Sequence, residues 1–320
     1  MGYLHELHST LQPLTFRTDK DPVVTKPDLT KYLKFYSIDF AKKLDVEHRI
    51  GIIRAAGFKV VTHYWNAPEA RGTVFIFHGY FDHVGLYGQL IQWCLKEHYN
   101  VVAIDLPGHG LSSGEQASIE SFDQYGAVLK TLVSLCSKTQ QKPFFCIAQD
   151  IGATAVMNMM WKHNKRPFAK MIFLAPFLRP QGWFKGKIWY RISKLFVKSI
   201  KRRIVPNTGN RQFNRFVGTK DPLQSKRQPI EWQTAMQHWM DEFPSLPTEI
   251  VKPLIIQGDE DVTLDWKYNI KQIEAHFPNV ITEYLPGANH HLTNEVKNLR
   301  NNMFKKIKTY LDLQILEPVS

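Results

Sequence analysis

The sequence predicts an α/β fold with a mostly parallel sheet, helices on both faces and a helical insertion. Continuous apolar runs, long enough for buried strands, alternate with segments of helical periodicity, and several runs end in Gly- or Pro-containing loops. This alternation breaks at residue 178 and resumes after about residue 236, which predicts an insertion. Because ligands bind at the carboxyl ends of the strands in such folds, we expect the insertion to cover a site there.

The predicted elements follow in order along the chain. Strands begin with 51–55 and the alternating run 58–64, and strand-then-loop segments follow at 72–80, 99–110, 144–148, 169–177, 252–262 and 281–291. Helices lie between them, with a pattern through Leu90, Trp93 and Leu95, and then at 119–137, 151–161 and 294–313. This order divides the chain into a first core part, residues 1–177, the cap, residues 178–236, and a second core part, residues 237–320.

Composition indicates a globular protein with an ample core. The 320 residues are 43% hydrophobic, and three cysteines without a CxxC pair favour a reducing compartment over a disulfide framework. The N-terminus lacks a signal-peptide pattern, and no apolar run reaches the roughly 18 residues of a membrane span. We therefore expect a cytoplasmic protein that is at most peripheral to a membrane.

Positive charge is concentrated in the cap. Residues 178–230 hold seven Lys and seven Arg against one acid, Asp221, so this segment carries +13 where the whole chain carries +12. Such localised charge indicates one basic module. Nucleic acid is disfavoured as its partner because no helix-turn-helix, zinc or RNA motif accompanies the charge. Nothing in the sequence predicts an oligomeric state.

Residues 182–203 have the pattern of an amphipathic helix. Apolar side chains at 184, 188, 192 and 195 or 196 fall on one stripe, most of the basic residues fall on the other side, and nearby aromatic residues suit a lipid headgroup interface. Two interpretations stay open and can both hold: a helix lying in an anionic membrane surface, and a lid packing its stripe over the site. The residues predicted to face substrate or membrane are Trp183, Phe184, Ile188, Trp189, Tyr190, Lys194 and Arg202.

Residues 148–152 fit the G-x-S-x-G nucleophile elbow, a sharp turn from strand to helix. Ala148 replaces the first glycine and Asp150 replaces the serine. The oxyanion hole at such an elbow would use the backbone N–H groups of Ile151 and Tyr80. Each donor of this kind lowers the barrier by about 3 kcal/mol.

An acid and a histidine follow two later strands. Asp261 lies three residues beyond Gly258, and Asp259 is the weaker alternative. His290 follows the last predicted strand in a Gly-Ala-x-His run, with His291 as the neighbour to exclude. The order nucleophile, acid, histidine is that of α/β-hydrolases. We therefore expect Asp150, Asp261 and His290 to be the catalytic groups.

Taken together, these motifs resemble the lysophospholipase and monoacylglycerol lipase branch of the α/β-hydrolases. The resemblance rests on HGYFDH at 78–83, GHGLSSG at 108–114, the elbow, GDEDV at 258–262 and GANHHL at 287–292, and it covers roughly residues 40–315. It implies an α/β-hydrolase fold and hydrolysis of a lipid ester, with no metal and no cofactor.

Aspartate in place of serine conflicts with ester chemistry. A carboxylate that attacks an ester carbonyl is the better leaving group, with a pKa of about 4 against roughly 16 for an alkoxide, so the adduct collapses back to substrate. An ionised Asp150 also favours the imidazolium form of His290, which cannot act as a base. Four explanations stay open: a nucleophile with altered chemistry, a natural loss of activity, an engineered replacement of serine, and a weak hydrolase that activates water.

Aspartate nucleophiles do act in this fold on alkyl carbon. Epoxide hydrolases and haloalkane dehalogenases form an alkyl ester on aspartate and hydrolyse it with histidine-activated water. The Gln149-Asp150 pair matches them, but Ile151 and Phe81 stand where those families carry Trp and Pro, and the cap offers only Tyr190 for their tyrosine pair. The sequence therefore predicts a lipid-ester hydrolase. Its alternatives are an Asp-nucleophile hydrolase of epoxides or alkyl halides and a catalytically silent lipid- or partner-binding scaffold.

Overall fold

An eight-stranded sheet runs through the centre of the molecule. A computed structural model describes residues 7–313. The strands are β1 (Glu47–Ala55), β2 (Phe58–Asn66), β3 (Thr73–Phe77), β4 (Asn100–Ile104), β5 (Phe144–Gln149), β6 (Lys170–Leu174), β7 (Ser199–Lys201), β8 (Arg227–Pro229), β9 (Leu254–Gly258) and β10 (Ile281–Leu285). The large sheet has the order β1-β2-β4-β3-β5-β6-β9-β10, and β7 and β8 form a separate pair. The β2 strand runs antiparallel to both of its neighbours, and all other pairs in the large sheet are parallel. The predicted α/β class is confirmed.

Helices cover both faces of this sheet. They are α1 (Pro27–Phe35), α2 (Ala41–Leu44), α3 (Gly88–Lys96), α4 (Phe122–Cys136), α5 (Ile151–His163), α6 (Trp183–Ser193), α7 (Arg211–Thr219), α8 (Ile230–Glu242), α9 (Trp266–His276) and α10 (Lys297–Asp312). None of the helices within residues 7–313 is long and apolar enough to cross a membrane.

Central strands such as β3 are largely apolar because both of their faces meet a hydrophobic layer. In β3, Phe75 and Phe77 pack into the layer that contains α4 and α5, whereas Val74 and Ile76 pack into the layer that contains α3 and α10. Successive side chains of a strand point to opposite faces, so a strand covered on both sides must be apolar at every position. This is the pattern that the sequence shows at its buried strands.

The cap differs from the prediction in its local structure. The sequence predicts one helix over residues 182–203, but α6 ends at Ser193 and residues 199–201 form β7, which pairs antiparallel with β8. Although residues 199–201 continue the helical periodicity, they pair as a strand with residues 227–229, almost 30 residues further along the chain. The α8 helix also continues to Glu242, past the predicted boundary at 236.

Candidate active site

Asp150 lies at the turn between β5 and α5. Its backbone angles, φ 52° and ψ −121°, lie in a region that non-glycine residues rarely adopt, at a cost of order 1–3 kcal/mol. A Cβ at Gly152 would lie 2.5 Å from the carbonyl oxygen of Phe77, so glycine allows α5 to begin this close to β3. The Asp150 N–H donates to the Leu174 carbonyl at 3.0 Å, which ties the turn to β6. This local geometry is that of a strained strand-to-helix turn with Asp150 at its apex.

Asp261 and His290 are held together by the loops after β9 and β10. His290 Nδ1 lies 2.9 Å from Asp261 Oδ2, and both residues are buried. Asp261 Oδ1 accepts hydrogen bonds from the N–H groups of Thr263 and Leu264 at 2.8 and 3.1 Å. Because the Asp261 carboxylate accepts the Nδ1 proton, the Nε2 atom of His290 is left to act on a substrate or water. Nε2 lies 3.9 Å from Asp150 Oδ2.

The two alternatives in the sequence have other partners. Asp259 is exposed, and its Oδ1 accepts a hydrogen bond from the Gly287 N–H at 2.7 Å. His291 Nε2 lies 3.3 Å from Asp82 Oδ2. The structure thus brings His290, and not His291, to Asp150 and Asp261.

The Asp150 carboxylate occupies the place predicted for a substrate oxygen. The Tyr80 N–H donates to Asp150 Oδ2 at 2.8 Å, and the neighbouring Ile151 N–H lowers the pKa of this carboxyl group. These are the two N–H groups that the sequence predicts for an oxyanion hole. Asp150 Oδ1 is buried and makes no hydrogen bond within residues 7–313. One carboxylate oxygen is therefore held by a backbone donor, whereas the other keeps its lone pairs free.

A second network, which the sequence analysis did not assign, supports the Tyr80 loop. The Gly79 N–H donates to the Tyr87 hydroxyl at 3.0 Å, and this hydroxyl donates to Asp82 Oδ2 at 2.9 Å. Asp82 Oδ2 in turn lies 3.3 Å from His291 Nε2. The HGYFDH run marked this loop, but only the fold shows that Asp82 and His291 hold it in place.

The ionisation of the Asp150–His290 pair follows from burial and charge. Burial raises the pKa of the Asp150 carboxyl to about 6, against the opposing effects of His290 and of the Tyr80 and Ile151 N–H groups. Burial disfavours the His290 imidazolium, but Asp261 and then Asp150 outweigh it and raise the pKa of His290 to about 9. Near neutral pH the pair is therefore a carboxylate beside an imidazolium.

A cavity of about 620 Å³ lies over this pair and under the cap. Asp150 and His290 form part of its wall, and much of the rest is aromatic. Tyr80 stacks on Trp232 of α8, with ring centroids 3.7 Å apart and an angle of 11° between the planes. The aromatic part of the wall suits a lipophilic ligand, and polar side chains such as Gln181, Gln228 and Arg202 also line the cavity.

Most of the apolar stripe of the cap is exposed. Its side chains are 50–78% accessible and will be called the exposed cap face: Phe184, Ile188, Trp189, Ile192, Leu195 and Phe196. Of these, Trp189 also lines the cavity, so the interpretation of the stripe as a lid over the site stays a prediction.

Two aromatic residues expected at a headgroup interface are buried instead. Trp183 lines the cavity, and the Tyr190 hydroxyl lies 2.7 Å from Thr234 Oγ1 of α8. They stand seven residues, or about two helical turns, apart, so both point from α6 toward α8. Trp189 and Lys194 are exposed, as expected.

Comparison with known proteins places this site in a family. Residues 68–297 match the model of the family described as serine aminopeptidase, S33. The chain belongs to this family. One relative is a monoglyceride lipase homolog of monkeypox virus, which is 23% identical over 78% of this chain and 92% of the relative. Another is phospholipase YtpA of Bacillus subtilis, which is 22% identical over 78% of this chain and 99% of the relative. A solved structure of a soluble variant of Saccharomyces cerevisiae monoglyceride lipase, in complex with a substrate analog, matches with a TM-score of 0.70. Its sequence is 18% identical, and the match covers 82% of this chain and 94% of that chain.

These comparisons confirm the α/β-hydrolase fold and the resemblance to monoacylglycerol lipases. Membership in this family makes the protein a hydrolase. At the predicted elbow it carries Asp150 where the G-x-S-x-G pattern has serine.

Proposed function

We propose that this protein hydrolyses a lipophilic ester with a single acyl chain at an anionic membrane surface, with Asp150, Asp261 and His290 as its catalytic groups. The observation that carries the proposal is the position of His290, held by Asp261 and 3.9 Å from Asp150, in the wall of an aromatic cavity. The names of the relatives, monoglyceride lipases and a phospholipase, support a lipid ester as substrate.

In its present form the protein would act on esters through water and not through an acyl-enzyme. An adduct of the Asp150 carboxylate with an ester carbonyl would expel the carboxylate again, for the reason given above. Neutral His290 can instead take a proton from a water molecule that attacks the carbonyl carbon, and then return it to the leaving alkoxide. Because the Tyr80 N–H already donates to Asp150, the developing oxyanion lacks this donor and the reaction is slow.

The ester hydrolysis of the purified protein should rise with pH and level off above about 9, because His290 acts as a base only after losing its proton. The measurement is the initial rate with p-nitrophenyl octanoate, corrected for spontaneous hydrolysis at each pH. In the matched variant His290→Gln the enzymatic part of the rate should disappear. A rate that falls above neutral pH, or one that survives His290→Gln, would contradict the proposed role of His290.

The exposed cap face supports action at a membrane surface. Phe196 is 78% exposed and Leu195 is 72% exposed, on a segment rich in lysine and arginine. Burial of each such side chain in the acyl boundary contributes about 1.5–3 kcal/mol, and each nearby basic residue adds about 1 kcal/mol on an anionic surface.

Changing Leu195 and Phe196 together to serine should weaken binding to phosphatidylglycerol-containing vesicles by about 10-fold or more. Co-sedimentation with vesicles at low and high salt measures this. Ile250→Ser is the matched control because Ile250 is 85% exposed but lies outside the cap. Equal binding by the cap variant and the control variant would rule out this surface as the membrane contact.

One observation favours a second candidate, an Asp-nucleophile hydrolase of epoxides or alkyl halides. Within residues 7–313, Asp150 Oδ2 accepts from the Tyr80 N–H, while Oδ1 makes no hydrogen bond. An unbonded carboxylate oxygen can displace an epoxide oxygen or halide at alkyl carbon. The donor on the other oxygen would then stabilise the oxyanion that forms when water attacks the resulting ester.

A further inference from the structure

Arg202 is half-buried between two exposed basic neighbours, Lys201 and Arg203, and all three residues line the cavity. It follows β7, and its N–H donates to the Lys226 carbonyl at 3.0 Å, which continues the pairing with the β8 segment. Lys201 and Arg203 are exposed, whereas Arg202 is half-buried, as the alternation of an extended chain requires. The charge of Arg202 therefore belongs to the cavity wall and not only to the basic surface of the cap.

The guanidinium group of Arg202 is held in place by uncharged partners. It lies over the Phe81 ring, 3.7 Å from the centroid, and its Nη1 donates to Gln224 Oε1 at 2.7 Å and to the Ser225 carbonyl at 3.3 Å. Gln224 also donates to the Phe81 carbonyl at 2.9 Å, so Arg202 is fixed to the loop that carries Tyr80. Within residues 7–313 its side-chain hydrogen bonds all use Nη1, which leaves Nε and Nη2 for a ligand.

The buried carboxylates near Arg202 are already paired with histidines. Asp82 meets His291 at 3.3 Å, and Asp221 meets His83 at 3.0 Å. Within the described part of the chain, no carboxylate forms an ion pair with Arg202. Burial lowers the pKa of Arg202 to about 10, although Asp82, Tyr80 and Asp221 oppose this shift. An anionic ligand would add a direct partner for the charge of Arg202.

We propose that Arg202 binds the phosphate group of a monoacyl phospholipid whose acyl chain occupies the aromatic cavity. The planar guanidinium presents paired donors that match phosphate oxygens. Arg202 rests on Phe81, next to Tyr80, so its site lies near the backbone N–H that holds Asp150. In a monoacyl phospholipid the phosphate and the ester are only a few bonds apart, which fits one ligand to both places. The turnover of this lipid rests on the proposed function, but its binding does not.

The test is calorimetric binding of two ether lipids to the full-length protein, an alkylglycerol phosphate and the alkylglycerol with the same chain, both below their micelle concentrations. Ethers are not hydrolysed by an esterase, so the result is independent of catalysis. Arg202→Gln should weaken binding of the phosphate lipid by about 10- to 100-fold and change binding of the neutral lipid by less than about twofold. Arg215→Gln is the matched control, because it removes an exposed arginine of the cap outside the cavity and should change neither affinity.

Other outcomes overturn the proposal. Equal weakening of both lipids, or of neither, removes Arg202 as a phosphate site. Binding of inorganic phosphate as tightly as the phosphate lipid identifies a site for free phosphate and not for a lipid headgroup. If circular dichroism shows that Arg202→Gln does not fold, Arg202→Lys replaces it in the same binding test. Arg202→Lys should lose part of the selectivity for the phosphate lipid over the neutral lipid. Selective binding of the phosphate lipid by a protein that hydrolyses no ester would support the phosphate site and contradict the proposed function.

Discussion

Replacing Asp150 by serine should raise kcat/KM for a medium-chain ester by about 10³-fold or more. The substitution removes the carboxylate that engages the Tyr80 N–H, and it supplies a hydroxyl nucleophile beside His290. It also removes a charge that raises the pKa of His290, so the optimum should move to lower pH. Steady-state kinetics with p-nitrophenyl octanoate and a monoacylglycerol measure both effects.

Two control variants separate the nucleophile from the emptied oxyanion hole. Asp150→Ala empties the hole and lowers the pKa of His290 without supplying a nucleophile, so its gain in rate should be smaller than that of the serine variant. Asp150→Asn keeps the shape of the side chain and an acceptor for the Tyr80 N–H without its charge, so its gain should come only from the lower pKa of His290 and should also be smaller than that of the serine variant. If the alanine or asparagine variant gained as much kcat/KM as the serine variant, the assignment of position 150 as the nucleophile position would be contradicted.

If the protein acts on alkyl carbon, as the second candidate requires, His290→Gln should trap a covalent ester on Asp150 when the protein is treated with a long-chain terminal epoxide. Asp150 Oδ1 would attack the terminal carbon, the carbon–oxygen bond of the epoxide would break, and its oxygen would take a proton to become a hydroxyl. Without His290 no base activates the water that hydrolyses this ester, so the adduct accumulates. Intact-mass measurement followed by peptide mapping checks both its mass and its position.

The unsubstituted protein should turn the same epoxide over without accumulating adduct. Alkylation of Asp150 removes a negative charge that raises the pKa of His290, so the imidazole becomes neutral and available as a base at that step. Asp150→Asn is the control that cannot be alkylated in this way. If His290→Gln stays unmodified, the alkyl-carbon candidate is excluded, and water-mediated ester hydrolysis remains.

The sheet could be predicted because its strands are buried on both faces and its helices are amphipathic. Strands β3, β4, β5 and β9 are continuous apolar runs that need no partner to be recognised. The cap could not be predicted in the same detail, since β7 is a three-residue strand whose partner, β8, is remote in sequence. A local pattern of period 3.6 contains no information about that pairing.

The positions of Asp150, Asp261 and His290 could be predicted because each follows a strand in a recognisable local run. Two other features of the site could not be predicted, because they depend on contacts between residues that are distant in sequence. The carboxylate of Asp150 reaches the Tyr80 N–H, 70 residues away, and so fills the space of a substrate oxygen. Arg202 stands between two similar basic residues, and only its extended backbone and its contact with Phe81 distinguish it from them.

The central claim is that Asp150 occupies the nucleophile position of a lipid-ester hydrolase and fills its oxyanion hole. A fluorophosphonate probe tests this most directly, because it phosphonylates only a hydroxyl activated by histidine and stabilised by such a hole. Intact mass should show no label on the unsubstituted protein and one label per chain on Asp150→Ser, which peptide mapping places at position 150. A folded Asp150→Ser variant that stays unlabelled, or that carries the label elsewhere, would contradict the claim.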